Sequence, residues 1–242
     1  MTNISSSYTR LTPHSSVKNY DFASGEVLLV DKPLEWTSFD VVKKMRGLTK
    51  VKKIGHAGTL DPLATGLLIL CTGKMTKQIE QFQGMEKAYE GTLVLGKTTP
   101  SIDLETEFDS EQSTKHITPE QIEAVRQQFL GTIQQVPPQH SAIKVDGRRV
   151  YKSARKGKKV EIKPRAVEIR AFNFIKIDLP TVRFEVVCSK GTYIRSMVRD
   201  LGQVLGVGAY LKELRRTRIG QFEVSDAHNI AEWTSLLKLD KE

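Results

Sequence analysis

Chemistry in this chain could centre on one carboxylate set among glycines. The stretch IGHAGTLDPLATGLLIL, residues 54–70, places Gly55, Gly58, Gly66, His56 and Asp61 ahead of an apolar run. The glycines permit backbone shapes and close approaches that a side chain would block. Pro62 fixes its own φ and biases Asp61 away from helical backbone. Two readings follow. Asp61 could cap its own backbone in an ordinary Asp-Pro turn. It could instead project from a rigid turn towards a substrate, where an ionised carboxylate attacks an electrophilic carbon or removes a proton.

Other chemistry-bearing patterns are weaker. GTLVLGKT, residues 91–98, fits the phosphate-loop pattern GxxxxGK[ST]. Its intervening Thr-Leu-Val-Leu reads as strand, and Pro100 opposes the helix such a loop must open. Cys71 and Cys188 each end an apolar run, LLILC and FEVVC. Both read as buried small hydrophobes of a reducing compartment. Without CxxC or HExxH spacing, no metal site is expected.

Composition sets the frame around these residues. The 242 residues carry 37 Lys and Arg against 28 acids, a net charge of +9. Residues 41–60 hold six Lys/Arg and no acid, and 148–165 hold nine against Glu161 alone. Arg215, Arg216 and Arg218 form a third basic group, whereas 101–123 carries seven acids and only Lys115. Such segregation points to basic surfaces facing a polyanion. No run approaches the roughly 18 apolar residues of a membrane span. The Ser-rich N-terminus lacks the apolar core of a secretory signal. A cytoplasmic protein is expected.

The elements that must position Asp61 are legible around it. EVLLV (26–30) reads as a strand, and SFDVVKKMRGLTK as a helix capped at Thr37 or Ser38 with Phe39, Val42 and Met45 on its apolar face. LLILC is a further strand, followed by a helix near 75–83 and the strand AYEGTLVLG. Residues 101–117 read as an acidic loop. TPEQIEAVRQQFLG is predicted as a helix with Thr118 and Gln121 as its capping box and Gly131 as its stop. An Asp-Gly turn at 146–147 precedes a short basic helix, RVYKSARKGK. Residues 160–189 alternate as antiparallel strands. TYIRSMVRDLGQVLG is an amphipathic helix with Tyr193, Met197, Leu201 and Val204 on one face. A strand near 217–224 and a weak final helix close the chain. The expected organisation is a flexible polar tail (1–24), one α+β domain (25–225) and a short C-terminal helix or tail (226–242).

Ordered motifs sharpen this. GHAGTLDPLATGLL resembles the signature of the TruB family of tRNA pseudouridine synthases, whose catalytic residue is the Asp of the G-T-L-D-P segment. LLVDKPLEWTSFDVV is similar to that family's D-K-P-x-x-x-T-S segment, and TGKMTK to its T-G-x-x-T-K. KAYEGTLVLGKTT resembles the strand bearing its active-site Tyr, and PPQHSAIKVDGRRVYKSARKG a basic RNA-contacting segment. CSKGTYIRSMVRDLG and LRRTRIG match its closing motifs. The matches run from about Val27 to Gly220.

The resemblance implies roles position by position. Asp61 would be catalytic, Tyr89 would lie against the target base, and Arg195 would pair with Asp61. His56 would sit beside the flipped nucleotide and Leu214 would line the pocket; Lys32 and Lys77 would support the substrate. Taken alone, Tyr89 could be an ordinary strand aromatic, Leu214 core and Arg195 a solvated helix face. Phosphate contacts are expected from Lys52, Lys53, Lys144, Arg148, Arg149, Arg155, Lys156, Lys158, Arg215 and Arg216. The implied fold is that of pseudouridine synthases: a central, mostly antiparallel mixed sheet flanked by helices, with an RNA cleft. The implied reaction is isomerisation of uridine 55 (tRNA numbering) in the T loop, with no cofactor, metal, guide RNA or protein partner, by a monomer. A non-catalytic RNA-binding protein is the rival, though it has no use for a carboxylate near phosphate.

Two departures stand out. Glu35 occupies a position where the family usually has Gly, so a differently shaped turn is expected there. Only 16 residues follow Asp226, too few for the PUA-type RNA-binding domain that often ends these enzymes.

Overall fold

The run GLLILC is continuous rather than alternating because both faces of its strand are covered. In the computed structural model, which describes residues 20–141, 143–145, 148–151 and 160–239, this run lies in β3 (Ala64–Thr72). Leu68 and Leu70 face one core, while Leu67, Ile69 and Cys71 face another. Successive side chains of a strand point to opposite sides, so a strand between two cores must be apolar throughout.

The described residues group into two compact units, one running to Lys87 and resuming at Arg215, the other Ala88–Leu214. In the first, β1 (Val27–Lys32) pairs antiparallel with β3, from Val27 opposite Cys71 to Lys32 opposite Gly66. β2 (Ile54–His56) also pairs antiparallel with β3. The end of β12 (Ala209–Ile219) borders β3 and pairs with β13 (Phe222–Glu223). A lone parallel bridge joins Val30 and His228. Helix α1 (Ser38–Thr49) starts at a capping box between Thr37 and Asp40. It buries Ser38, Val41, Val42 and Met45, the i, i+3, i+4, i+7 stripe of a helix face. Phe39 lies off that stripe and is 61% exposed, contrary to the face expected from sequence. A 3-10 segment (Gly73–Gln78) leads into α2 (Ile79–Gly84).

Strand β4 (Lys87–Leu95) and β12 each run from one unit into the other. The passages lie inside strands, which is why no linker-like composition marks them and the sequence reads as one domain. In the second unit the strand order is β12, β4, β11 (Thr181–Cys188), β10 (Arg165–Asp178) and β7 (Gly131–Gln135). The β10 pairings with β11 and β7 are antiparallel. Two small ribbons join β5 (Lys97–Thr98) to β6 (Ser110–Glu111), and β8 (Lys144–Val145) to β9 (Arg148–Arg149). Helices α3 (Pro119–Arg126) and α4 (Ile194–Val204) contribute to this unit's core beside Phe172, Phe184 and Val186. The architecture is α+β with mostly antiparallel pairing.

Several boundaries differ from expectation. Helix α3 ends at Arg126, and Gly131, at φ +80°, opens β7 instead of stopping the helix. Arg149, the first residue of the expected basic helix, is strand, whereas Val150 and Tyr151 are helical; residues 152–158 of that helix lie outside the described residues, as do 1–19 of the tail. Tyr20 and Phe22, assigned to that tail, stack at 5.0 Å and pack on a core containing Trp233. That Trp, 1% exposed, anchors the final helix α5 (Ile230–Leu239) and donates from Nε1 to the Leu29 carbonyl. The tail and the closing helix therefore brace each other through aromatic burial.

Candidate active site

Asp61 lies in the short loop between β2 and β3, half-buried, with both chain neighbours fastened. On one side, the Ser38 hydroxyl accepts from the Leu60 N–H at 2.9 Å and bonds the Leu60 carbonyl at 3.2 Å. On the other, the Pro62 carbonyl accepts from the Glu35 N–H at 2.9 Å and from Lys32 Nζ at 3.2 Å. Glu35 reaches that carbonyl from the left-handed conformation, at φ 65°. Glu35 therefore holds, at a steric cost, a backbone shape that glycine adopts freely.

Three basic side chains gather around this loop. Lys32 is fully buried, and its ammonium donates to the carbonyls of Pro33, Trp36 and Pro62. Burial pulls its pKa down to about 8; Asp61 and Asp40 oppose the fall and Arg216 adds to it. Arg216 is 1% exposed. Its Nε donates to the Leu67 carbonyl at 2.7 Å and its Nη2 to the Gly58 carbonyl at 3.2 Å. His56, on β2, is held below the ordinary imidazole range, first by burial and then by the charge of Arg216. It is therefore neutral at neutral pH.

In the second unit Arg195 opens α4 and is 3% exposed, so it is not a solvated helix face. Its Nη1 and Nη2 donate to the carbonyls of Ser101 and His140, each at 2.8 Å. Its Nε lies 3.6 Å from the Asp103 carboxylate, which is equally buried. Asp103 was missed from sequence because it lies in an acidic stretch that reads as solvated loop. The available signal was its place between two apolar residues, Ile102 and Leu104. Ile102 adopts φ 66°, a rare state for a β-branched residue, and its carbonyl accepts from the Leu211 N–H. Tyr89, on β4, and Leu214, on β12, are half-buried and pack on the core of this unit.

The basic residues divide. Lys52, Lys53 and Lys77 are exposed and available to an anionic partner. Arg216 is not: its burial and two carbonyl bonds correct its assignment as a phosphate contact. Arg215 forms a bidentate pair with Asp31, at 3.0 and 2.7 Å, so its fork has an internal partner. Lys144, Arg148 and Arg149 lie on the β8–β9 ribbon. Arg155, Lys156 and Lys158 fall outside the described residues. The phosphate-loop match lies on β4 and β5, where the intervening backbone is strand. Both cysteines are free and buried, as expected, and no helix among the described residues is long and apolar enough to cross a membrane.

Comparison with known proteins bears directly on this arrangement. Residues 46–194 match the family model described as TruB family pseudouridylate synthase (N terminal domain), and 195–241 match the tRNA pseudouridylate synthase B C-terminal domain. The chain is 55% identical over 207 residues to tRNA pseudouridine synthase B of Parabacteroides distasonis, covering 83% of this chain and 88% of that one. It is 52% identical over 217 residues to the protein of the same name from Flavobacterium johnsoniae, covering 87% and 95%. Among solved structures, a Cbf5-Nop10-Gar1 complex matches at TM-score 0.73 and 27% identity, over 100% of this chain and 62% of that one. An archaeal box H/ACA sRNP Nop10-Cbf5 complex matches at TM-score 0.68 and 25% identity, over 95% and 58%.

Proposed function

The chain belongs to the TruB family of pseudouridylate synthases, and on that footing we propose that it isomerises a T-loop uridine of tRNA with Asp61 as its catalytic residue. The observation that carries the assignment is the double fastening of Leu60 and Pro62, which holds one carboxylate in a fixed, half-buried loop beside a buried ammonium. An ordinary Asp-Pro turn needs neither.

The reaction breaks the N1–C1′ bond, rotates the base and forms a C5–C1′ bond; C5 loses a proton and N1 gains one. Substrate and product are isomers, so the balance needs no redox cofactor, metal or nucleotide. It needs an ionised carboxylate against the sugar or base, and the Lys32 charge favours that form. The target leaves its stack at a cost of a few kcal/mol, least in a loop. Tyr89 stacks on the detached uracil as it turns, Leu214 lines the pocket, and neutral His56 lies beside the extruded nucleotide. Asp103 steadies Arg195, the residue that the family resemblance gives as the partner of the catalytic carboxylate. Exposed Lys52, Lys53 and Lys77 and the β8–β9 ribbon hold flanking phosphates of the T arm, orienting the RNA without reading its sequence. The protein acts as a cytoplasmic monomer without guide RNA or partner protein.

The test is to incubate the protein with an unmodified tRNA transcript and map pseudouridine along it. Modification confined to the T-loop uridine is the expected result. Tight binding with no pseudouridine at any position would favour a non-catalytic RNA-binding role.

A further inference from the structure

Arg216 was expected on the surface and is instead among the most deeply buried side chains of the first unit. A buried guanidinium is costly unless its donors are met, and here they are met by carbonyls at the two ends of one segment. Gly58 and Leu67 flank the stretch that carries Asp61, and Arg216 donates to both. The backbone reinforces the clamp. A Cβ added at Gly66 would come within 2.3 Å of the Arg216 carbonyl oxygen, so the two main chains touch. Gly58 and Gly66 both adopt φ +100°, a conformation open in practice to glycine alone.

We infer that Arg216 is a positioning residue: its guanidinium fixes both ends of the Asp61 loop and so places the carboxylate for reaction, instead of contacting RNA. The inference rests on Asp61 being catalytic. Lys32 and Ser38 hold the immediate neighbours of Asp61, whereas Arg216 holds the wider frame in which they sit. The same guanidinium acts on His56 by its charge, since burial and Arg216 both disfavour the imidazolium. The charged groups in the fields of Lys32 and His56 are Asp61, Asp40 and Arg216.

The test compares Arg216→Gln, Arg216→Lys and Asp61→Asn in the full chain. Three readouts are needed: single-turnover pseudouridine formation, tRNA affinity, and the titration of His56 by NMR. Arg216→Gln should slow turnover by about 100-fold, the scale of a misplacement near 1 Å, with tRNA affinity unchanged within about two-fold. Its His56 should titrate at higher pH, because a positive neighbour is gone. Arg216→Lys should keep the His56 titration but still lose about 10-fold in rate, since a point charge does not reproduce the planar fork. If the Gln variant does not fold, the Lys variant decides by the same readouts. Wild-type rates in either folded variant overturn the inference, as does an affinity loss large enough to explain the slower turnover. A fully active Asp61→Asn would instead overturn the assignment of Asp61.

Discussion

A buried ammonium and a half-buried carboxylate share the loop, and their charges give the site a pH dependence of predictable sign. Lys32 loses its proton in the folded chain at about pH 8, against 10.5 in an unfolded one. If its charge supports Asp61, single-turnover rates should fall as pH rises through about 8. Stability should move the other way: between those two values the unfolded chain holds more protons, so Lys32 contributes increasing stability as pH rises. Activity falling while urea stability holds or rises separates this cause from alkaline unfolding; a flat rate across that range would remove Lys32 from the site. Arg195 gives a second prediction. Asp103→Ala removes the acid beside a guanidinium that is 3% exposed and should cost roughly 2 kcal/mol in urea unfolding. A stability unchanged from wild type would show that the pair, 3.6 Å apart, does not support Arg195. The special backbone around Asp61 was readable from its glycines and proline, but it was the resemblance of the surrounding motifs, not the turn alone, that singled out its carboxylate. Asp103 and the burial of Arg216 were not readable, because the partners that bury them lie far away along the chain, as Arg195 does for Asp103 and Gly58 and Leu67 do for Arg216.

Among the elements, local signals fared best where the chain meets its own neighbours. The box at Thr118–Gln121 involves residues three apart, so that helix start was visible directly, while for α1 the sequence narrowed the cap to Thr37 or Ser38 and the structure shows Thr37, boxed with Asp40. Phe39 was misplaced because its helix buries a stripe chosen by the sheet beneath it, which no local pattern specifies. The turn before α1 carries its own prediction. Glu35 holds φ 65° while its N–H bonds Pro62. Glu35→Gly should stabilise the protein by about 0.5–1 kcal/mol, the relief of a left-handed residue less the entropy glycine adds to the unfolded chain. Thermal unfolding checks it, and a lowered Tm would contradict the strain assigned to this turn. Turnover should not change, because the N–H to Pro62 remains.

For the molecule as a whole, segregated charge announced a polyanionic partner, and the family match makes pseudouridine formation the chemistry. The division into two units stayed hidden, because the chain passes between them within β4 and β12 and not through linkers. The alternatives of catalyst and binder separate on one side chain. Asp61→Asn keeps the size and polarity of the residue while removing its charge, so the fastening at Leu60 and Pro62 and the exposed lysines should be untouched. The most direct measurement is pseudouridine formation on an unmodified tRNA transcript by this variant, with tRNA affinity followed in parallel across a range of salt. The expected result is no pseudouridine, with affinity and salt dependence equal to wild type. Pseudouridine formed at the wild-type rate by Asp61→Asn would contradict the account.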